Sequence, residues 1–475
     1  MKKLYKYINI ILITFLTIGF TICQPISANT FSILRNNIKQ LNDAESNLYD
    51  LLIITPKEFE KALKPLQIHK ENVGIRTRII NLQEAYDIGF WGRDNPEKIK
   101  LCIADSIENA GIKYVLLVGG MKGQTGKWLM PVRYVNLGNN WEAQIISDLY
   151  YADIYDSKGN FSTWDSDNDN NFEEWTYGDQ PQDTHIDYYP DIAIGRLPCR
   201  NIVEVKIMVQ KIINYEKTVY NSEWFNDIIA IAGDTYPEIL NPKWVGYEGE
   251  YYADLAIENM SEFNAIRLYT SDGTLTHWKD ILNSLNNGAG FVYFVGHGSP
   301  MTWSNHLPNN KTRIKGFKTY HMNLLHNKNK QFICVVSGCH NSQFDVNIFK
   351  FLDPIARGHI EYVPECFSWK MTRKIGGGSI ATLGCTALGH TKEDKVSFKG
   401  GINELEVQFF HQYSQHNKDI IGDAWRETIN WYLNTYPVDW NQELTNDSWV
   451  DVQVPQTWVL FGDPSLKIGG YQISG

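Results

Sequence analysis

Three short stretches place reactive side chains directly after apolar runs. Phe291 to Val295 is followed by Gly296-His297-Gly298-Ser299, Phe332 to Val336 by Ser337-Gly338-Cys339-His340-Asn341, and Ile228 to Ala232 by Gly233-Asp234. Runs of this length and composition read as buried strands, and in open α/β sheets ligands collect beyond the carboxyl ends of the strands. If the three strands lie side by side, a thiol, an imidazole and a carboxylate meet at one edge of the sheet. A thiol attacks a carbonyl as its thiolate, and a neighbouring imidazole both lowers the thiol pKa and passes a proton to a leaving amine. Cys339 and His297 are therefore the candidate pair for acyl transfer. The glycines flanking His297 let backbone approach a substrate closely, and the amides of Gly298 and Cys339 are the candidate oxyanion donors. A single Cys or His at a strand end is more often structural, so the combination carries the chemical reading.

A second cluster is acidic. In Trp164-Asp165-Ser166-Asp167-Asn168-Asp169-Asn170-Asn171-Phe172-Glu173-Glu174, the carboxylates of Asp165, Asp167 and Asp169 fall at positions 1, 3 and 5 of an EF-hand-like loop. The Asn171 carbonyl and the apolar Phe172 follow in register, and hard oxygen ligands of this kind suit calcium. The pattern departs at Asn170, where Gly is usual, and at Thr176, where a bidentate Glu is usual, so Glu173 or Glu174 is the expected closing ligand. A solvated acidic turn is the alternative. Calcium is the one cofactor expected; no organic cofactor is, and the absence of Cys-x-x-Cys and His-Glu-x-x-His patterns leaves zinc without support.

The elements that must position these groups follow from periodicity. Besides the three runs above, Leu51 to Ile54, Tyr114 to Val118, Asp191 to Ile194 and Ser379 to Leu383 read as buried strands. Helical spacing fills the intervals, most clearly after Asn201, which is expected to cap a helix with Glu204 closing a capping box and Val205, Met208, Val209, Ile212 and Ile213 as its apolar face. Strands alternating with helices predict a largely parallel α/β sheet. The 217–226 segment is the expected seam between two subdomains in close contact.

The chain has 475 residues, 43% hydrophobic and 13% aromatic, enough to bury a large core. Lys and Arg number 44 against 54 Asp and Glu, a net charge of −10, which disfavours nucleic acid and anionic membranes as partners. Lys2, Lys3 and Lys6 precede the apolar run Ile8 to Ile22, the pattern of a secretory signal, with cleavage expected after Ala28. A lipid anchor on Cys23 is disfavoured by the bulky Ile22 before it. The expected division is a signal peptide at 1–28, a short segment at 29–48, an α/β subdomain at 49–222 carrying the acidic loop 164–176, a catalytic subdomain at 223–470 and a tail at 471–475. No later segment has the length of apolar residues needed to span a bilayer, so a secreted protein free of the membrane is expected. The six cysteines after Cys23 are too sparse and irregular for a dense disulfide framework.

These blocks resemble those of the gingipain-type cysteine peptidases of the caspase-like clan. Gly296-His297-Gly298-Ser299 with Trp303 resembles the family's histidine block, and Cys339-His340-Asn341-Ser342-Gln343-Phe344 its cysteine block at Cys, Asn and Phe. Tyr114-Val115-Leu116-Leu117-Val118-Gly119, Ile194-Gly195-Arg196 and Phe461-Gly462-Asp463-Pro464-Ser465-Leu466 resemble further signatures, in the same order, between about Leu51 and Ile468. The resemblance implies a caspase-like α/β/α sandwich in two subdomains, with Cys339 as nucleophile and His297 as general acid/base. It further implies Asp234 as the carboxylate that orients the imidazole, Glu250 of Glu248-Gly249-Glu250 as an acidic residue selecting Arg or Lys before the cleaved bond, and Trp303 as a wall of that pocket. The expected activity is a secreted cysteine endopeptidase acting on protein or peptide substrates. A catalytically silent calcium-stabilised binding protein and a transpeptidase remain open, as does the oligomeric state.

Overall fold

A computed structural model describes residues 48–137, 142, 144–176, 178–240, 242, 246–391 and 399–472. The expected signal peptide, Cys23 and nearly all of the 29–48 segment lie outside the described residues, as do residues 473–475 of the tail.

The strands begin with β1 (Leu51–Thr55), β2 (Thr77–Asn81), β3 (Tyr114–Val118), β4 (Tyr134–Val135), β5 (Ile145–Ile146) and β6 (Ala193–Leu197), the last starting two residues into the expected run from Asp191 to Ile194. They continue with β7 (Asp227–Ala232), β8 (Asn264–Tyr269), β9 (Phe291–Phe294), β10 (His297–Gly298), β11 (Thr302–Ser304), β12 (Phe317–Lys318), β13 (Phe332–Val336), β14 (Ser379–Cys385) and β15 (Trp458–Phe461). Ten of them form one sheet in the order β2-β1-β3-β6-β15-β14-β13-β9-β7-β8. Within each five-stranded half every pairing is parallel, and the halves meet at the antiparallel pair β14–β15. The expected division at 222/223 falls between β6 and β7, but β15, the last strand, sits beside β6. Residues Tyr49–Gly475 form one compact unit.

Alternation along the strands shows why both faces are covered. Ile228, Ala230 and Ala232 of β7, Phe291 and Tyr293 of β9, and Ile333 and Val335 of β13 pack with Tyr252, Ala253 and Ala256 of the helix Glu248–Asn259 and with Leu405 and Phe409 of the helix Gly401–Ser414. Ile229 and Ile231, Val292 and Phe294, and Cys334 and Val336 face the other way, toward Ile281 and Leu285 of the helix Trp278–Asn287 and Phe367 and Met371 of the helix Phe367–Thr372. The expected α/β class with a mostly parallel sheet between helical layers is the one observed.

Asn201 caps the helix Ile202–Thr218 by accepting from Val203 N and Glu204 N. Glu204 reaches the Arg200 amide instead of the cap's own, drawn there by the Arg200 guanidinium. Cys102, Cys199, Cys334, Cys339, Cys366 and Cys385 are free thiols, and only Cys339 is not fully buried. No helix among the described residues is long and apolar enough to cross a membrane.

Candidate active site

The three reactive stretches do come together. Strands β13, β9 and β7 are consecutive parallel neighbours, with Val336 paired to Phe294 and Phe294 to Ile231. The ladder runs past the strand ends through Ser337 N to Phe294 O at 2.8 Å and Val295 N to Ile231 O at 2.9 Å. The loops carrying Cys339, His297 and Asp234 therefore leave the same edge of the sheet.

The cysteine and histidine loops interlock through backbone. A side chain at Gly298 would overlap Asn341 Oδ1 and lie 2.8 Å from Cys339 O, and one at Gly338 would lie 2.9 Å from Gly298 N. Asn341 ties the two loops by donating from Nδ2 to Ser299 O at 2.7 Å and Thr302 O at 3.1 Å. Ser299 and Thr302 exchange main-chain bonds across the β10–β11 hairpin, so the next pair, Gly298 and Trp303, is a non-hydrogen-bonded pair. The hairpin thus leaves the Gly298 amide unconsumed.

Cys339 Sγ accepts from Gly389 N at 3.4 Å. Burial pushes the thiol up, the Gly389 amide opposes this, Glu142 adds to it and Arg313 offsets part of it. His297 places Nε2 2.8 Å from Thr235 O. A carbonyl only accepts, so Nε2 carries the proton and Nδ1 holds the lone pair. Burial, reinforced by the Arg313 charge, pulls His297 down to about 4, so the imidazole is neutral at ordinary pH.

Several expected roles differ in the structure. Asp234 does not orient His297: its Oδ2 accepts from Asn309 N at 2.6 Å, and the bond to the imidazole comes from the next residue's carbonyl. The cause is local, because Asp234 pairs as an antiparallel bridge with His306, which turns its side chain toward the 306–309 turn. Glu250 is buried, and its carboxylate is taken up by Ser271 N at 2.9 Å, Ser271 Oγ at 2.5 Å and Thr270 Oγ1 at 3.4 Å. Glu248, two residues earlier on the helix, instead faces the histidine side. Its Oε2 accepts from Tyr236 N at 3.2 Å, while its Oε1 and Asp234 Oδ1 are buried without a hydrogen-bond partner. Burial raises Glu248 to about 7, and Asp234 adds to the rise. Trp303, expected as a pocket wall, is fully buried against Phe294, ring centroids 5.2 Å apart, because its register opposite Gly298 points it into the core.

In the acidic loop, carboxylate oxygens of Asp165, Asp167 and Asp183 gather in one group, and those of Asp167, Asp169 and Glu174 in another. Asn170, in place of the usual Gly, takes the left-handed conformation at φ 72, one of the few that asparagine tolerates. Glu173 leaves the cluster, buried between Tyr188 Oη at 2.6 Å and Gln456 Nε2 at 3.0 Å, and burial raises it to about 8. The Asn171 side chain and amide donate to Asp169. Arg93 Nη1 lies 2.5 Å from Asp165 Oδ2 and already neutralises part of the charge.

Sequence reasoning missed Asp183, Thr235, Glu248, His306 and Arg313. Asp183 stands seven residues past the loop pattern, and a main-chain carbonyl such as Thr235 O has no side-chain signature. Glu248 was readable only as a neighbour of Glu250. Nothing in the sequence links His306 or Arg313 to the histidine block.

A family model described as peptidase family C25 matches residues 44–469. Gingipain R2 of Porphyromonas gingivalis is 20% identical over 422 residues, 88% of this chain and 46% of that protein. Lys-gingipain W83 of Porphyromonas gingivalis is 25% identical over 213 residues, 44% of this chain and 10% of that protein. The chain thus spans less than half the length of these curated relatives. Gingipain R (RgpB), a solved structure described as an Arg specific cysteine proteinase, aligns with a TM-score of 0.60 at 20% identity over 89% of this chain and 78% of that one. The complex of Porphyromonas gingivalis RgpB pro- and mature domains gives 0.59 at 20% identity over 88% and 79%. These likenesses establish the shared fold, and the family match runs through every block that the sequence singled out. The chain belongs to peptidase family C25.

Proposed function

We propose that the protein is a cysteine peptidase in which Cys339 attacks the peptide carbonyl and His297 carries the proton. The observation that carries this reading is the interlocked pair of loops, which holds a thiol and a neutral imidazole with a lone pair on Nδ1 at the same sheet edge. The thiol proton passes to Nδ1, the thiolate adds to the carbonyl carbon, and the oxyanion meets the amides of Gly298 and Cys339. The C–N bond breaks as His297 returns the proton to the leaving amine, and water then hydrolyses the thioester to restore the thiol. Cys339→Ala is expected to lose peptide cleavage and labelling by acylating thiol probes while keeping its melting temperature. Cleavage at the parent rate in that variant overturns the reading.

A preference for Arg or Lys before the cleaved bond belongs in this reading to Glu248 with Asp234, since both keep a buried oxygen without a partner whereas Glu250 is saturated. A basic side chain supplies charge-assisted bonds to such oxygens. Glu248→Gln should flatten the preference in a peptide library and Glu250→Gln should leave it; the reverse result returns the role to Glu250.

We also infer that the acidic loop holds calcium through Asp165, Asp167, Asp169, Asp183 and Glu174. An ion bound only by the native state at 100 times its Kd stabilises it by about 2.7 kcal/mol, so calcium should raise Tm, and the double change of Asp165 and Asp167 to Ala should remove the response. An unchanged response in the double variant places the ion elsewhere. Secretion is proposed on the N-terminal lysines and apolar run alone.

A further inference from the structure

We propose that His306 and Arg313 are positioning residues that hold His297 in the tautomer with Nδ1 unprotonated; this deepens the reading of His297 as the proton carrier and rests on it. The chain of donors admits one assignment. A guanidinium only donates, so Arg313 Nε, 3.0 Å from His306 Nε2, makes that nitrogen an acceptor. His306 therefore carries its proton on Nδ1, which lies 3.3 Å from Thr235 O. The same oxygen receives Nε2–H of His297 at 2.8 Å. One carbonyl, with two lone pairs, thus accepts from two imidazoles whose rings stand edge to face with centroids 5.3 Å apart.

The backbone builds this arrangement. His306 pairs with Asp234 on one side and with Arg313 on the other as antiparallel bridges. Asn305 accepts from His306 N at 2.9 Å through Oδ1, and its Nδ2 donates to Val295 O at 2.9 Å and Thr235 Oγ1 at 3.3 Å. Asn305 thereby ties the strand end before His297 to the Thr235 turn and to His306.

The groups facing His297 are Thr235 O, Tyr236, His306 and Arg313; those facing His306 are Arg313, Thr235 O and the Asp234 backbone. Among the described residues no carboxylate acts on the Arg313 guanidinium, and its charge reaches Cys339 and Tyr236. One cation accordingly disfavours a second proton on either imidazole and favours the thiolate, against the opposing charge of Glu142. If Arg313 is removed, His306 is free to carry its proton on either nitrogen. The Nε2–H tautomer turns a lone pair toward Thr235 O, which repels that carbonyl and loosens the Thr235 turn, so the bond that fixes the His297 tautomer is no longer held in place.

The test reads the tautomer directly, by 15N chemical shifts of the His297 ring in histidine-labelled protein between about pH 6 and 8, with no substrate present. In the parent, Nε2 should be protonated and Nδ1 bare. In His306→Ala and Arg313→Met a mixture of tautomers is expected, with kcat for peptide cleavage down about 10- to 100-fold and KM within about twofold, the range seen when partners that orient an imidazole are removed. Arg313→Lys, which can still donate to His306 Nε2, should restore the parent spectrum and most of kcat. A purely structural role would change Tm or kcat without moving the tautomer. An unchanged His297 spectrum in both variants, or kcat at the parent value, overturns the proposal. If His306→Ala does not fold, Arg313→Met, at an exposed position, decides the matter alone. Because the spectrum needs no turnover, a protein that cleaves nothing leaves the tautomer test intact and fails the peptidase reading separately.

Discussion

Two histidines lie on the interlocked loops that carry Cys339, and they differ in what they face. Burial draws both His297 and His340 down to about 4. His297 leans on a main-chain carbonyl with a guanidinium nearby, whereas His340 Nε2 lies 3.1 Å from Glu142 Oε1. Leu388 N donates to the same carboxylate at 3.1 and 3.2 Å, while the next amide, Gly389 N, points at Cys339 Sγ. Consecutive amides thus hold a carboxylate and the thiol side by side, and Glu142 raises the thiol where Arg313 lowers it. A carbonyl orients an imidazole without offering a rival site for its proton; a carboxylate binds the N–H and, once ionised, works against the thiolate. On the proposed reading of Cys339 as nucleophile, position next to it in the sequence is a poorer guide to the base than the chemistry of the imidazole's partner.

The largest effect that can break this contrast is catalytic. His297→Ala should lower kcat/KM by about 10²- to 10⁴-fold and His340→Ala by less than about tenfold, measured on one peptide substrate. Inversion of the two would make His340 the proton carrier. Next in size is the tie between the loops. Asn341→Ala removes one of the two donors to each of the Ser299 and Thr302 carbonyls, which keep their hairpin bonds, and the loss of two hydrogen bonds should cost about 1–3 kcal/mol in denaturant unfolding. A loss within error would mean that the interlocked glycines suffice. The smallest effect concerns the acidic neighbour. Glu142 is raised to about 7 by burial, so it is mostly ionised above that pH and mostly protonated below it. Glu142→Gln should speed alkylation of Cys339 by about two- to fivefold near pH 8, and the difference should vanish near pH 6, because only ionised Glu142 raises the thiol. A difference that persists at the lower pH would show that the carboxylate acts by packing and not by charge.

What was legible in the sequence was local. The β7, β9 and β13 runs and the glycine-flanked Cys339 and His297 are contiguous signals, and their convergence follows once the strands are neighbours. Exposed Asn264 and Arg267 interrupt the edge strand β8, and β15, though apolar throughout, is four residues directly after the helix Asn446–Thr457 and does not stand apart from it. Glu248 and Glu250 lie two positions apart on one helix and so point to different sides, a distinction that depends on where the helix begins. Trp303 depends on the register of a three-residue strand, and Glu173 on a core contact with Gln456, 283 positions away. The His306 and Arg313 contacts arise only when the hairpin excursion after β11 folds back on the Thr235 turn.

The antiparallel pair β14–β15 bears on the order in which the protein can be finished. The strand that joins the two halves of the sheet lies in its interior, yet it is the last of the described strands to be synthesised. Until residues 458–461 have left the ribosome, β6 and β14 each present an unpaired edge, the kind of surface that invites pairing with other chains. A nascent chain can hold the thiol loop, the histidine loop and both helical layers of the second half and still lack the strand that makes the sheet continuous. Completion of the sheet, and protection of those two edges, thus waits for residues 458–461.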